Sequence, residues 1–375
     1  MGIFDMFVNQ QKKTEEIMSK DLEKYVTASM QPIDSDLLEI KEKLDTYKGI
    51  IVFPEALDYY PIDRPQNILR TFARKGFLCF FCTTNFDSKL KEVEPNLFVV
   101  TNQERLLPLL KNRKVLFLIT YFLQYTFAKM VDDRIIWIDI MGKIDKYKYY
   151  NNYSIGVYKD IMKEALIATY KCEEYKIYYE GVRDNVILMK DGINEMDFIN
   201  PKNKIADNLR KYLFMNKKVI GYYGNIDKNI NFNLIKKIDS LNTFVIVLIG
   251  KLDDSIDLRD YSLKNTVILP SIDYNNLKYY IPYFDYVFFP LLNDSNHIIY
   301  NKVLECSAMK KHIISFENKE LLEFNLPNLI LVKNTEELIK TISEKEVKDY
   351  NLSEEINKTL IKYKWENIIS KVLPL

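Results

Sequence analysis

Apolar residues along the chain alternate between short uninterrupted runs and longer stretches with helical spacing. Six runs in the first half predict buried strands, at 50–53, 77–82, 115–120, 135–138, 166–169 and 186–189. Between them, helical spacing appears at 68–73, where it stops at Gly76, and again at 155–165. Strands that alternate with helices indicate a parallel sheet covered on both faces.

The same alternation begins again after a polar segment at 200–204. Predicted strands follow at 219–223, 244–249, 267–269, 286–289, 313–316 and 329–332, and predicted helices at 231–238, 274–280, 302–309, 336–342 and 356–372. We therefore expect an α/β chain with two Rossmann-like domains, over 49–200 and 201–350, which the family resemblance described below assigns to the acceptor and to the donor of a transfer reaction. Ligands of such sheets bind beyond the carboxyl ends of the strands, so two facing domains would leave a binding cleft between those ends.

Residues 1–48 have a different pattern. Apolar positions with helical spacing predict two amphipathic helices that are broken near Gln31-Pro32, at Leu22, Tyr25, Val26, Leu37, Leu38, Ile40 and Leu44. The simplest interpretation is a helical extension packed on the main body. The alternatives are a dimer contact, or a surface for a membrane or a partner protein.

Composition narrows the function classes. The 375 residues are enough for two domains, and a formal net charge of +1 provides no field that would attract nucleic acid. Residues 1–24 are charged, and no apolar run reaches the roughly 18 residues of a membrane span. We expect a cytoplasmic protein, with peripheral contact at the inner face of the membrane as the alternative.

Cys79 and Cys82 have the spacing of a redox or zinc pair, but they lie in the apolar run 77–82. Positions three apart in a strand point to opposite faces, so we expect two buried core cysteines. With only His297 and His312 in the chain, we expect no metal site.

Two segments could hold a phosphorylated ligand. The segment 221–228 lies between a predicted strand and a predicted helix, where backbone amides bind phosphate, and Lys228 would add charge. It also matches an ordinary β-α turn. In the segment 301–314, Lys302 and Glu305 share one helical face, where a carboxylate could bind a ribose diol and a lysine a phosphate. The alternative is an intrahelical ion pair on the surface.

Several segments, in order, resemble the family 4 glycosyltransferases and their close relatives, which have the GT-B fold. They are 64–66 with 72–76 (RPQ, then ARxG), 189–198 (NGVD…F), 220–224 (IGYxG), 248–250 (LIG), 285–290 (DVxxxP), 301–314 (NKxxEYLAxGKPVV) and 363–365. The last of these resembles the start of a helix, within 351–375, that crosses back to the N-terminal domain. The resemblance covers roughly 49–372, whereas residues 1–48 have no counterpart.

The resemblance implies a retaining sugar transfer from a nucleoside diphosphate sugar, with no obligatory metal or cofactor. We favour a UDP-sugar as the donor. Glu305 matches the carboxylate that binds the donor ribose, and Lys228, assisted by Lys302, matches a diphosphate-binding cation. The remaining expected donor contacts are Gly224, Asn225, Gly250, Ile272, His297 and Asn301. In the N-terminal domain, we expect Arg64 and Asp139 to face the cleft as catalytic residues, and Lys228 is the third expected catalytic residue. The alternatives are a structural ion pair for Arg64 and a capping role for Asp139.

The chain departs from the family pattern where many members have a second acidic residue that contacts the sugar, eight positions before the ribose carboxylate. That position is His297 here. The first expectation is a transferase of cell-surface glycan, polysaccharide or glycoprotein synthesis, whose acceptor is a glycan, a lipid-linked sugar or a protein. The alternatives are a non-catalytic GT-B subunit that supports a partner transferase, and a nucleotide-sugar epimerase.

Overall fold

The computed structural model describes residues 3–200, 203–213, 215, 217–292, 299–344 and 352–373. The chain forms two compact units, one of residues 1–190 with 368–375 and one of residues 191–367. Each unit has its own parallel sheet and its own apolar core, as the repeated alternation of apolar patterns predicts.

In the described part of the first unit, eight strands form a sheet in the order β3-β4-β2-β1-β5-β6-β7-β8. They are β1 (Ile50–Phe53), β2 (Leu78–Cys82), β3 (Leu90–Glu94), β4 (Leu97–Val100), β5 (Val115–Ile119), β6 (Arg134–Ile140), β7 (Ile167–Tyr170) and β8 (Ile187–Leu188). All neighbouring strands run parallel except β3 with β4. The chain adds strands on one side of β1 and then continues with β5 on the other side, so the strand order reverses between β1 and β5.

The helices of the first unit begin with the long α1 (Ile3–Ser29). The others are α2 (Leu38–Glu42), α3 (Arg64–Arg74), α4 (Leu107–Leu110), α5 (Gln124–Ala128) and α6 (Asn152–Glu164). The predicted break at Gln31-Pro32 is confirmed, because α1 ends at Ser29 and helical turns resume only at Ser35. Met18 and Tyr25 of α1 belong to the apolar core, so this extension packs on the first unit.

In the described part of the second unit, six parallel strands have the order β11-β10-β9-β12-β13-β14. They are β9 (Lys218–Tyr223), β10 (Phe244–Ile249), β11 (Thr266–Leu269), β12 (Tyr286–Phe288), β13 (Ile313–Phe316) and β14 (Leu329–Val332). The helices are α7 (Asp207–Leu213), α8 (Phe232–Ser240), α9 (Ile299–Ala308), α10 (Lys319–Leu322), α11 (Thr335–Glu344) and α12 (Leu352–Leu360), followed by α13 (Trp365–Ile369), which continues into the C-terminal residues of the first unit. Here the order reverses between β9 and β12.

Three sequence predictions need correction. The antiparallel β3–β4 hairpin was missed. The side chains of the edge strand β3 are exposed or partly buried, and the mostly buried β4 has only four residues. The segment 274–280 forms a 3₁₀ helix at Tyr274–Tyr279 rather than an α-helix. The predicted helix 356–372 is interrupted, since the backbone of Tyr363 and Trp365 forms hydrogen bonds with Ile193.

Cys79 and Cys82 are both buried and free, as predicted for core cysteines. They lie on β2, where Cys82 belongs to the main apolar cluster of the unit and Cys79 does not, which agrees with side chains on opposite faces of the sheet. Among the residues with described positions, no helix has the length and apolar character that a membrane crossing requires.

Candidate functional site

Two elements of the second unit meet at the reversal point of its sheet. The first is the loop after β9, which starts at Gly224, and the second is α9, which follows β12 in the sequence. In open α/β sheets this position, beyond the carboxyl ends of the strands, is where ligands bind. The predicted donor-site residues Gly224, Lys302 and Glu305 are all found there.

Two glycines bring the backbone of neighbouring loops into close contact. Gly250 has a φ of +159°, and a Cβ at this position would lie 1.8 Å from the carbonyl oxygen of Gly224. Gly224 has a φ of +139°, and a Cβ there would lie 3.0 Å from Nζ of Lys302. Both positions therefore require glycine, for its backbone freedom and for the absence of a side chain. The Gly224 backbone consequently lies next to the Lys302 ammonium group.

Lys302 is a mostly buried cation that contacts an aromatic ring. Its Nζ lies 5.0 Å from the ring centroid of Tyr223, a cation–π contact. Within the described ranges, no carboxylate forms an ion pair with this ammonium group. Burial lowers the pKa of Lys302, and the nearby Glu305 opposes this shift only in part. An anion that entered the site would remove this imbalance.

Glu305 is 8% exposed and lies one turn after Lys302 on α9. The Tyr223 hydroxyl donates a hydrogen bond of 2.6 Å to Oε2 of Glu305. The same hydroxyl lies 3.6 Å from Sγ of Cys306, and burial raises the pKa of both Tyr223 and Cys306. Tyr223 thus contacts the cation with its ring and the carboxylate with its hydroxyl.

The other predicted donor residues differ in their burial and in the elements that carry them. Asn225 and Lys228 belong to the loop after β9 and have exposed side chains. Asn301 lies on α9, where its buried Oδ1 has no hydrogen-bond partner among the described residues. Ile272 is partly buried and packs against the core of the second unit. His297 lies outside the described residues.

Arg64 and Asp139 form a closed ion pair inside the first unit. Nε of Arg64 donates to Oδ2 of Asp139 at 2.7 Å and Nη2 donates to Oδ1 at 2.9 Å, with both side chains 0% exposed. Thr169 donates a further hydrogen bond of 2.6 Å to Oδ1 and accepts one of 2.8 Å from Nε1 of Trp137. Asp139 lies within β6 rather than after it. This geometry favours the structural ion pair over direct contact with a substrate.

Sequence reasoning did not single out Tyr223. Tyr223 is the last residue of a buried strand, so its aromatic ring has the pattern of an ordinary core residue. Its position directly before Gly224 was the only sequence signal of a role in the site. The contact with Glu305 joins residues 82 positions apart in the sequence. Such a contact depends on the fold and has no local pattern.

No protein-family model matches the chain. Solved structures of similar fold include sucrose-phosphate synthase from Thermosynechococcus elongatus, with 13% sequence identity and a TM-score of 0.54 over 86% of this chain and 96% of that one. HepE of Anabaena, in complex with UDP and glucose, has 12% identity and a TM-score of 0.56, with 86% and 98% of the two chains covered. A glycosyltransferase from Rickettsia africae has 14% identity and a TM-score of 0.57, with 86% and 96% covered. These similarities confirm the predicted fold, since the protein has the two Rossmann-like α/β domains of the GT-B fold.

Proposed function

We propose that the protein is a glycosyltransferase that binds a nucleoside diphosphate sugar, with UDP-sugars favoured, in its second unit. It would transfer the sugar with retention to a hydroxyl group of a glycan, a lipid-linked sugar or a protein. The observation that carries this proposal is the Lys302 ammonium group, which is mostly buried, forms no ion pair with a carboxylate of the described residues and lies beside Gly224 at the reversal point of the sheet.

A buried charge without a partner is costly, so its retention calls for a compensating ligand. A diphosphate supplies two negatively charged groups, and the missing side chain of Gly224 lets the backbone of this loop lie close to the Lys302 ammonium group. Lys228, on the same loop, adds a second cation that is exposed to solvent. The geometry thus supports an anion site, in a fold that is used for nucleotide sugars by proteins such as HepE, which was solved with UDP and glucose.

Glu305 provides a group that can bind the ribose of the nucleotide. A carboxylate accepts two hydrogen bonds from a vicinal diol, and the ribose of a nucleotide carries such a diol. Glu305 lies one turn from Lys302, and Tyr223 contacts both residues. We therefore assign ribose binding to Glu305 and diphosphate binding to Lys302 with Lys228.

In the proposed transfer, the bond between the anomeric carbon and the diphosphate oxygen breaks, and its electron pair leaves with the diphosphate. Lys302, Lys228 and backbone amides stabilise the charge that develops on that leaving group. The acceptor oxygen forms the new bond to the same face of the anomeric carbon, and its proton passes to a departing phosphate oxygen. The products are the glycosylated acceptor and the nucleoside diphosphate.

Titration calorimetry with UDP, GDP and ADP tests the proposal directly. We expect UDP to bind, and Glu305→Ala to weaken its binding by roughly 1.5–3 kcal/mol, because charged hydrogen bonds to the ribose are lost. Glu336→Ala, which changes an exposed glutamate on α11 of the same unit, serves as the control and should leave the affinity unchanged. If none of the three nucleotides binds, the proposal is wrong and the non-catalytic subunit is favoured.

A further inference from the structure

The first unit contains a cavity of about 470 Å³ that the proposed donor site does not use. Its walls are formed by Asp21, Lys24, Tyr25, Glu55, Ala56, Leu57, Asp58, Thr84, Gln103 and Leu123. All of these residues outside α1 lie in the segments that follow β1, β2, β4 and β5. The cavity therefore lies at the carboxyl edge of the first sheet. It includes the loops after β1 and β5, between which the strand order reverses, and this is the position where α/β sheets bind ligands.

Helix α1, the extension without a counterpart in the resemblance, forms one wall of this cavity through Asp21, Lys24 and Tyr25. The helix is held in place by several contacts. The Tyr25 hydroxyl accepts a hydrogen bond of 2.7 Å from Nε2 of Gln103, and its ring meets that of Phe127 edge-on at 5.3 Å. Nearer the start of the helix, Oγ1 of Thr14 accepts a hydrogen bond of 3.0 Å from Nδ2 of Asn151. The position of the wall is therefore fixed by the fold.

Tyr25 provides an uncommitted donor at the cavity wall. Its side chain is 4% exposed, and its oxygen already accepts the hydrogen bond from Gln103. No residue in the described ranges accepts the hydrogen of this hydroxyl group. A buried hydroxyl usually finds an acceptor, and a ligand oxygen in the cavity would supply one.

The charges around the cavity select the kind of ligand. Asp21, Glu55 and Asp58 contribute carboxylates, whereas the single cation, Lys24, already pairs with Glu104 at 2.9 Å. Asp21 and Glu55 are both partly buried, and this burial raises the pKa of each carboxyl group. Within the described residues, no three side chains of the metal-binding types lie close enough together to hold an ion. The carboxylates are thus placed to accept separate hydrogen bonds.

We propose that this cavity binds the acceptor of the transfer through a sugar that carries no phosphate, either neutral or amine-bearing. Its hydroxyl or ammonium groups would donate to Asp21, Glu55 and Asp58, one sugar oxygen would accept from Tyr25, and Leu57 and Leu123 would contact apolar ring faces. The negative lining would repel a phosphorylated sugar. This inference rests on the proposed function, because it names the substrate class of that same reaction.

Saturation-transfer NMR on the full chain, in the presence of UDP, tests this selectivity with matched sugars. The panel contains glucose, galactose, mannose and glucosamine, each with its 6-phosphate. We expect at least one unphosphorylated sugar to bind, and its 6-phosphate to bind roughly tenfold more weakly. Asp58→Lys replaces an exposed carboxylate at the rim with a cation, and it should reduce this preference or reverse it in favour of the phosphate.

Asp132→Lys is the matched control, because it makes the same change of charge on an exposed turn before β6, away from the cavity lining. It should leave the preference unchanged. Two results would overturn the inference: no sugar of the panel binds, or the phosphorylated sugars bind as well as the others. UDP binding is measured in the same samples, so a protein that binds UDP but no sugar contradicts this inference alone, whereas a protein without UDP binding contradicts the proposed function.

Discussion

Each unit of the protein contains a pair of oppositely charged residues that the sequence analysis named as site candidates. The two pairs differ in whether the charged groups contact each other. In the first unit, Arg64 and Asp139 form two hydrogen bonds with each other and are 0% exposed. In the second unit, Lys302 and Glu305 stand one turn apart, but the ammonium group contacts an aromatic ring rather than a carboxylate. The first pair is complete without a ligand, and the second is not.

We expect this difference to separate a structural pair from a proposed binding site. A buried ion pair that satisfies all its partners contributes to one defined packing arrangement and offers no atoms to a substrate. A buried cation that lacks an anion reduces the stability of the ligand-free protein and favours the binding of an anion. Substitutions in the two places should therefore affect different quantities, stability in the first unit and ligand affinity in the second.

The largest effect is expected from Asp139→Asn. This change leaves the buried Arg64 guanidinium without its counter-charge, and breaking such a pair costs about 3–5 kcal/mol in the free energy of unfolding. Chemical denaturation measures the loss. Asp45→Asn is the control, since Asp45 is 87% exposed in its ion pair with Arg113 and should contribute less than about 1 kcal/mol. Equal losses in the two variants would contradict the structural role of the Arg64–Asp139 pair.

Lys302→Met should lower ligand affinity without lowering stability, the reverse of what we expect for Asp139→Asn. We expect UDP affinity to fall by roughly 1.5–3 kcal/mol, because a charged contact with the diphosphate is lost. The free energy of unfolding should stay the same or rise, since the variant removes a cation that forms no ion pair with any carboxylate the structure describes. Calorimetry and denaturation of the same sample measure both quantities. A large loss of stability with unchanged UDP affinity would show that Lys302 is structural.

The pH dependence of stability and of UDP affinity provides a second test of the role of Lys302. Burial lowers the pKa of Lys302 below the usual 10.5, so in the ligand-free protein the ammonium group loses its proton at a lower pH than in the unfolded chain. The charged form therefore destabilises the folded state below that pKa, and this penalty disappears as pH rises through it toward 10.5. UDP affinity should fall over the same range. Burial raises the pKa of Tyr223 and of Cys306 beside it, so both groups stay neutral in that range.

Lys302→Arg provides the control for this titration, because arginine keeps its charge throughout the range. Its UDP affinity should stay nearly constant where that of the unchanged protein falls. If both proteins lose affinity in parallel, another group is responsible for the pH dependence.

The sequence predicted the fold well because each buried strand is a local signal. The runs at 50–53, 244–249 and 313–316 coincide with β1, β10 and β13 residue for residue. The missed β3 shows the limit, since an edge strand with half-exposed side chains has the composition of a loop. The interrupted C-terminal helix has a similar cause, because the backbone contact with Ile193 competes with helical periodicity and is invisible in the local pattern.

The site was predictable only in part. The glycines and the Lys302–Glu305 spacing are local features, and the structure brings Gly224, Lys302 and Glu305 together. Whether a charged residue is paired depends on contacts across the fold. Arg64 meets Asp139 across 75 positions in the sequence, and no local pattern could show that these two residues neutralise each other.

Tyr223→Phe should have the smallest effect and separates the two functions of the second-unit site. The ring stays beneath the Lys302 ammonium group, 5.0 Å away, but the hydrogen bond that orients Glu305 is lost. We expect uridine and UDP affinities to fall by about 1 kcal/mol, while pyrophosphate affinity stays the same, because only the ribose contact depends on Glu305. Calorimetry with the three ligands measures this, and Tyr261→Phe on a partly buried ring elsewhere in the unit is the control. An equal loss for pyrophosphate would mean that the hydroxyl group supports the whole site, and that Tyr223 does not act through Glu305 alone.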